Sequence, residues 1–184
     1  KKERALFIEK KLNELFPNPK APLHHKNAFT LLIAVLLSAQ TTDKRVNIVT
    51  KELFKAASSP KEMFNLGEAK VYAYIKTCGL APKKAKAIIE TSKIIIERHK
   101  GRVPKELHLL EELPGVGHKT ASVVLSEYFK KPAFPVDTHI HRLAQRWGLT
   151  NGKSVKQTEK DLKEVFDGMN WRNLVSLKIF LWSA

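Results

Sequence analysis

The stretch Leu-Pro-Gly-Val-Gly-His-Lys-Thr-Ala at residues 113–121 combines a tight turn with the start of a helix. Pro114 fixes the direction of the chain, while Gly115 and Gly117 permit a positive φ and a close approach to the backbone. We therefore predict a glycine hairpin between two helices. The N-terminus of its second helix would present unpaired N–H donors and partial positive charge, which suit a phosphate. With Leu-Pro before it and Lys-x-Ala after it, the pattern favours a DNA-binding helix-hairpin-helix over a plain interhelical turn.

The overall charge points in the same direction. Lys and Arg number 33 against 18 Asp and Glu, which gives a formal net charge of +15 and a pI near 9.9. Such a balance favours a polyanionic partner, either nucleic acid or an anionic membrane surface. The longest apolar run, Leu31 to Leu37, is far shorter than the roughly 20 residues that span a bilayer. We interpret it as a buried core helix and expect nucleic acid, not a membrane, to be the partner.

The remaining pattern predicts an all-α protein. Helical periodicity with Gly, Pro and Asn punctuation runs throughout, and strand signals are nearly absent. Asn27, Asp137 and Ser154 are predicted N-caps. Cys78 is the single cysteine, which excludes an internal disulfide and favours a reducing compartment. The predicted helices cover residues 2–15, 27–39, 43–56, 60–65, 68–77, 82–99, 106–111, 117–129, 138–147, 155–166 and 171–182.

Two segments of the chain share the pattern Gly-apolar-x-x-Lys-x-Ala. They are residues 79–85 and residues 115–121. Each would be a tight turn that leads into a helix, with a small Ala that lets another element approach closely. The repeat is either a coincidence between two ordinary helix starts or a sign that two similar turns face the same DNA.

Lys119 and Asp137 are the residues from which chemistry is expected. Lys119 is either a phosphate contact or an amine nucleophile, and a nucleophilic amine must be neutral. Desolvation in a cleft and the positive end of the helix would both favour the neutral amine. Asp137 is either a helix N-cap or a catalytic carboxylate, and the two roles are compatible. His139 and His141 have a poor spacing for metal ligation on a helix, so we interpret them as surface or phosphate-facing residues.

Four stretches together resemble the endonuclease III family of helix-hairpin-helix DNA glycosylase/AP lyases. They are residues 36–43 (Leu-Leu-Ser-Ala-Gln-Thr-Thr-Asp), 74–80 (Tyr-Ile-Lys-Thr-Cys-Gly-Leu), 113–121 and 136–142. The resemblance covers nearly the whole chain. It implies a six-helix barrel at residues 21–131 beside a second helical domain formed by residues 1–20 and 132–184. It also implies a DNA cleft with the hairpin lysine on one wall and the aspartate on the other.

The resemblance implies the following chemistry. Lys119 is the nucleophile that attacks C1′ of the sugar as an oxidised pyrimidine leaves, and the resulting Schiff base undergoes β-elimination 3′ to the lesion. Asp137 assists this attack electrostatically, Gln40 and Leu80 fill the gap left by the flipped base, and Asp43 and Glu111 are cleft carboxylates. The expected DNA-contacting residues are Leu113, Gly115, Val116, Gly117, His118, Gln40, Leu80, Thr138 and His139.

The resemblance also sets expectations about partners and location. The partner is double-stranded DNA that contains damaged pyrimidines or abasic sites, and the protein is expected to be a monomer. It is expected in the cytoplasm with a bacterial nucleoid, or in another reducing compartment that contains DNA. Two alternatives stay open. One is the related adenine glycosylase, against which the presence of Lys119 argues, and the other is a non-catalytic helix-hairpin-helix DNA-binding module.

One departure from the family pattern concerns a cofactor. The family usually carries four cysteines that bind a [4Fe–4S] cluster, placed just after the helix with which this chain stops. None of those cysteines is present here, so no metal is expected within this chain. Cys78 lies elsewhere and cannot substitute, because such a cluster needs four thiolates. We expect the cluster only if a four-cysteine loop follows residue 184.

Overall fold

The computed structural model describes residues 1–15, 22–131, 133 and 135–166, and every regular element in those ranges is a helix. The all-α prediction is therefore confirmed. The helices are α1 (Lys2–Leu15), α2 (Ala28–Ser38), α3 (Asp43–Ala56), α4 (Pro60–Leu66), α5 (Glu68–Ile75), α6 (Ala81–His99), α7 (Leu107–Glu111), α8 (His118–Glu127), α9 (Thr138–Arg146) and α10 (Val155–Val165).

The helix bounds agree with the sequence patterns to within about two residues. All three predicted N-caps are confirmed: the side chains of Asn27, Asp137 and Ser154 accept hydrogen bonds from the first turns of α2, α9 and α10. Several helix starts and ends differ from the predicted ones by one or two residues. The helix expected from residue 106 begins at Leu107, since Glu106 is extended, and α6 begins at Ala81 rather than residue 82. The predicted helix 171–182 lies outside the described residues.

The chain divides into two compact units. The first, here called the hairpin unit, is Ala21–Phe129 and contains α2 to α8. The second, here called the terminal unit, combines Lys1–Lys20 with Lys130–Ala184, and its described helices are α1, α9 and α10.

The core of the hairpin unit is built around α2. Every residue from Phe29 to Leu37 is buried, as expected for the apolar run. Full burial of one such leucine or isoleucine side chain contributes about 1.5–3 kcal/mol. Asn27 begins the helix with a capping box, in which its Oδ1 accepts from the Thr30 backbone 2.8 Å away. Helices α3, α6 and α8 pack against α2. The turns that lead into α6 and α8 are therefore attached to helices that α2 holds in place.

The terminal unit has its own apolar core. Ala5 of α1 packs with Ile140 and Ala144 of α9 and with Leu162 and Phe166. A side-chain bond also ties the N-terminal helix to the end of α9, because Arg4 donates from Nη1 to the carbonyl oxygen of Trp147 at 2.9 Å. Residues from the two ends of the chain therefore share one core, and α9 is held on both its apolar face and its C-terminal end.

Candidate active site and nucleic-acid interface

The predicted hairpin lies between α7 and α8. The N–H of Val116 donates to the carbonyl oxygen of Leu113 at 3.0 Å, which closes the turn. Gly115 has a φ of +75°, as expected. Gly117 has a φ of −90° and a ψ of 175°, so it is an extended N-cap and does not adopt the positive φ that glycine permits. A Cβ at Gly117 would meet nothing within 4 Å, which leaves the backbone there open to an approaching group.

The hairpin is held firmly by the helices beneath it. Thr91 of α6 donates from Oγ1 to the carbonyl oxygen of Pro114 at 3.0 Å. Leu113 and Val116 are 2% and 5% exposed, so both residues are buried in the hairpin. The expectation that they contact DNA stays a prediction. The first N–H groups of α8 point away from the helix and have no acceptor within it.

Lys119 is the second residue of α8 and is exposed. Its role as a nucleophile stays a prediction. The adjacent His118 has its Nδ1 2.5 Å from Oε1 of Glu111, and both side chains are partly exposed. Of the two expected cleft carboxylates, Glu111 is thus joined to the hairpin helix. Asp43, the other expected cleft carboxylate, is the half-buried first residue of α3.

Gln40 and Leu80 lie on two neighbouring turns of the hairpin unit. Both have left-handed backbones, with φ of +54° and +58°. Holding a non-glycine residue in this region costs about 1–3 kcal/mol, and such residues cluster at functional sites. Leu80 is 49% exposed, so it is not a core leucine. The turns approach so closely that a Cβ on Gly79 would lie 2.5 Å from the carbonyl oxygen of Gln40.

A buried lysine that the sequence analysis did not select joins these two turns. Lys84 is 5% exposed, and its Nζ donates to the carbonyl oxygens of Leu37 at 2.8 Å and Ala39 at 2.5 Å. It also donates to Oγ1 of Thr41 at 3.1 Å. Burial lowers the pKa of Lys84 below its ordinary value, and a small opposing effect comes from Cys78. The sequence does contain one indication that Lys84 is buried, which is its position on the same face of α6 as Ala81, Ala85 and Ile88.

The two repeated segments are alike in packing but differ in backbone. Ala85 and Ala121, the small residues of the pattern, are both fully buried. The left-handed residue is the second of the first segment, Leu80, but the first of the second segment, Gly115. Helix α6 accordingly begins at the third residue of its segment, whereas α8 begins at the fourth residue of its own. The two turns are therefore related in sequence without being copies of one conformation.

The remaining expected site residues lie at the start of α9, in the terminal unit. Asp137 caps this helix, with Oδ1 accepting from the N–H groups of His139 at 3.1 Å and Ile140 at 2.9 Å. Thr138 and His139 are exposed on the first turn. His141 is instead directed to α10, where its Nδ1 lies 2.7 Å from Oγ1 of Thr158. The N-cap role of Asp137 is therefore confirmed, and its catalytic role stays a prediction.

The residues of this chain do not fit a [4Fe–4S] cluster. The sequence holds one cysteine, and burial raises the pKa of the Cys78 thiol above its ordinary value, which disfavours a thiolate ligand. Within the described ranges no group of His, Cys, Asp and Glu could hold a metal ion. The same ranges contain no helix long and apolar enough to cross a membrane.

Comparison with known proteins gives the class of this fold and site. The family model for the HhH-GPD superfamily of base excision DNA repair proteins matches residues 33–167. Endonuclease III of Treponema pallidum is 50% identical over 155 residues, which are 84% of this chain and 74% of that protein. Endonuclease III of Escherichia coli K12 is 47% identical over 164 residues, with coverage of 89% and 78%.

Solved structures give the same result. A non-covalent endonuclease III–DNA complex matches with a TM-score of 0.86 at 37% identity, covering 93% of this chain and 80% of the other. A trapped endonuclease III–DNA covalent intermediate matches with the same score and identity. The chain therefore belongs to the endonuclease III family of the HhH-GPD superfamily, a family of DNA glycosylase/AP lyase enzymes.

Proposed function

We propose that this enzyme excises oxidised pyrimidines from double-stranded DNA and then cleaves the strand 3′ to the resulting abasic site. In the first step the Nζ of Lys119 bonds to C1′ while the N-glycosidic bond breaks, and the base leaves with the bonding electron pair. Opening of the sugar gives a Schiff base. Loss of a C2′ proton then expels the 3′ phosphate by β-elimination, and water hydrolyses the imine to regenerate the amine.

The position of Lys119 carries this proposal. Its side chain is exposed on the first turn of the helix that the glycine hairpin begins, and a helix N-terminus suits a phosphate. A nucleophile must reach the sugar, and a phosphate held by the hairpin would bring that sugar close. Because Lys119 is exposed, a DNA sugar held near the hairpin can reach its amine. The trapped covalent intermediate of endonuclease III with DNA supports a nucleophile on the protein.

Asp137 is proposed as the charge partner of this reaction. Two backbone N–H groups hold its carboxylate in one orientation at the start of α9. A carboxylate that faces the sugar would stabilise the positive charge that develops as the base departs. The reaction also requires the damaged base to leave the stack, at a cost of a few kcal/mol. Gln40 and Leu80, exposed on adjacent turns, are suited to occupy the vacated space with a polar amide and an apolar wedge.

Borohydride trapping on a duplex with one abasic site tests this function. A Schiff base between protein and sugar becomes a stable covalent adduct on reduction, so we expect an adduct with the wild-type protein and none with Lys119→Ala. Lys93→Ala is the matched control, since Lys93 is exposed on α6 and lies 3.9 Å from Glu97 as a surface pair. An adduct of equal yield in Lys119→Ala would assign the amine to another residue, and no adduct in any of the three would leave a DNA-binding protein without lyase activity.

A further inference from the structure

We propose that Lys84 is a positioning residue for damage recognition, which sets the turns bearing Gln40 and Leu80 in one fixed arrangement. This inference rests on the proposed function of those two side chains at the vacated base position. Lys84 itself is buried and does not touch DNA, so it would act only through its neighbours.

The bonds of Lys84 span both turns. Its backbone N–H donates to the carbonyl oxygen of Leu80 at 3.0 Å, in the first turn of α6. Its ammonium group binds Ala39 and Thr41, the residues on either side of Gln40 in the chain. The Lys84 side chain therefore holds the main-chain carbonyl before Gln40 and the hydroxyl group after it, while the Lys84 backbone N–H binds Leu80.

Thr41 adds a second bond between the same turns. Its Oγ1 accepts from Lys84 Nζ and also from the N–H of Gly79 at 3.0 Å. Gly79 in turn approaches the Gln40 carbonyl oxygen more closely than any side chain would allow. The two left-handed residues are thus held by a shared set of hydrogen bonds, and a shift of one turn would move the other.

The chemistry of the site explains why a lysine is suited to this place. The carbonyl oxygens of Leu37 and Ala39 belong to the C-terminal end of α2, where unpaired acceptors and partial negative charge favour a cation. All three acceptors of the ammonium group are neutral, so three hydrogen bonds take the place of an ion pair with a carboxylate. Three donors on one nitrogen match three acceptors within residues 37–41, which a hydroxyl or an amide at the end of a shorter side chain could not do.

Lys84→Met is the principal variant, because methionine keeps an unbranched apolar stem and removes all three donors. Lys86→Met, on the exposed face of α6, is the control with the same loss of charge. In single-turnover excision of thymine glycol from a duplex we expect Lys84→Met to be slower than the control by about tenfold, or about 1.4 kcal/mol of activation free energy. The fluorescence of 2-aminopurine placed opposite the lesion should increase less on binding, as this base is less completely unstacked.

A double-mutant cycle separates positioning from general destabilisation. If Lys84 acts through Gln40 and Leu80, its substitution should cost less than about twofold in a Gln40→Ala/Leu80→Ala background. The same tenfold loss in both backgrounds would overturn the inference, and so would equal excision rates for Lys84→Met and Lys86→Met. Borohydride trapping on single-stranded abasic DNA, which has no opposing base, should be unchanged by Lys84→Met. Absence of trapping by the wild-type protein on an abasic duplex would instead refute the proposed lyase function.

Thr41→Val is a second variant that tests the same inference, in case Lys84→Met does not fold. Valine matches threonine in shape and removes the oxygen that joins Gly79 to Lys84. We expect a smaller loss of excision rate in the same direction, again suppressed when Gln40 and Leu80 are alanine. A rate equal to that of the wild-type protein would contradict the inference.

Discussion

Gly115 lies so close to Leu36 that a Cβ on the glycine would be 3.2 Å from the leucine Cδ1, and 3.1 Å from Cβ of Ala87. The hairpin is therefore seated on α2 and α6, and a methyl group on Gly115 would fit only if its neighbours moved by a few tenths of an ångström. We expect Gly115→Ala to lower the free energy of unfolding by more than about 1 kcal/mol, because it combines this crowding with a left-handed backbone. Denaturant unfolding measures this loss.

Gly117→Ala provides the contrasting variant. A Cβ there meets nothing, and its backbone is extended, so stability should change by less than about 0.5 kcal/mol. We expect its affinity for abasic duplex to fall nonetheless, since a methyl group would keep a phosphate away from the N-terminus of α8. Unchanged affinity in Gly117→Ala would remove the hairpin backbone from the DNA interface.

Asp137→Asn should slow turnover strongly while leaving the fold and DNA binding largely intact. Asparagine retains the side-chain oxygen that accepts from His139 and Ile140, and it is as good an N-cap as aspartate. The substitution therefore removes the charge and keeps the cap. Excision rate, DNA affinity and unfolding midpoint are measured together.

Ser154→Ala is the control for a lost cap. Ser154 caps α10 of the same unit, so this change should cost about 1 kcal/mol of stability without slowing excision. If Asp137→Asn turns over at the wild-type rate, the carboxylate has a structural role alone.

The affinity for DNA should fall steeply with salt. A net charge of +15 and a main-chain phosphate site imply that binding releases counterions from the duplex. We expect the logarithm of the binding constant for a duplex with an uncleavable abasic analogue to decrease linearly with the logarithm of salt concentration. A response that is flat from low to physiological salt would contradict a phosphate-dominated interface.

Lys84 should make stability depend on alkaline pH. Its pKa in the folded protein lies below the ordinary value of 10.5, so between those two values the unfolded chain binds more protons than the folded one. The free energy of unfolding then rises with pH in that window. We expect the wild-type protein to gain stability relative to Lys84→Met as the pH rises towards 10.5. A constant difference would show that the group does not titrate differently on folding.

Local patterns in the sequence predicted much of the fold. The apolar run at Leu31–Leu37 is a fully buried helix, and Asn27, Asp137 and Ser154 are caps. These features depend on residues within about one helical turn of each other, which a sequence displays directly. The four motifs also led to the correct family, which comparison with known proteins then confirmed.

Such local patterns could not predict features that depend on residues far apart in the sequence. The position of Lys84 on the buried face of α6 indicates that it is enclosed, but its acceptors lie 45 to 47 positions earlier in the chain, so the sequence could not identify them. Glycine at position 117 permits a positive φ but does not require one, and the residue there is an extended N-cap. The roles proposed for Lys119 and Asp137 concern bound DNA and stay predictions.

The left-handed backbones of Gln40 and Leu80 have a consequence for engineering this enzyme. Glycine would adopt either conformation without the penalty that a larger residue incurs. Selection for heat tolerance alone would therefore favour glycine at both positions and would discard the two side chains proposed to enter the DNA. Thermostabilised variants obtained without an excision assay should be sequenced at these positions first, since stability and repair make opposite demands there.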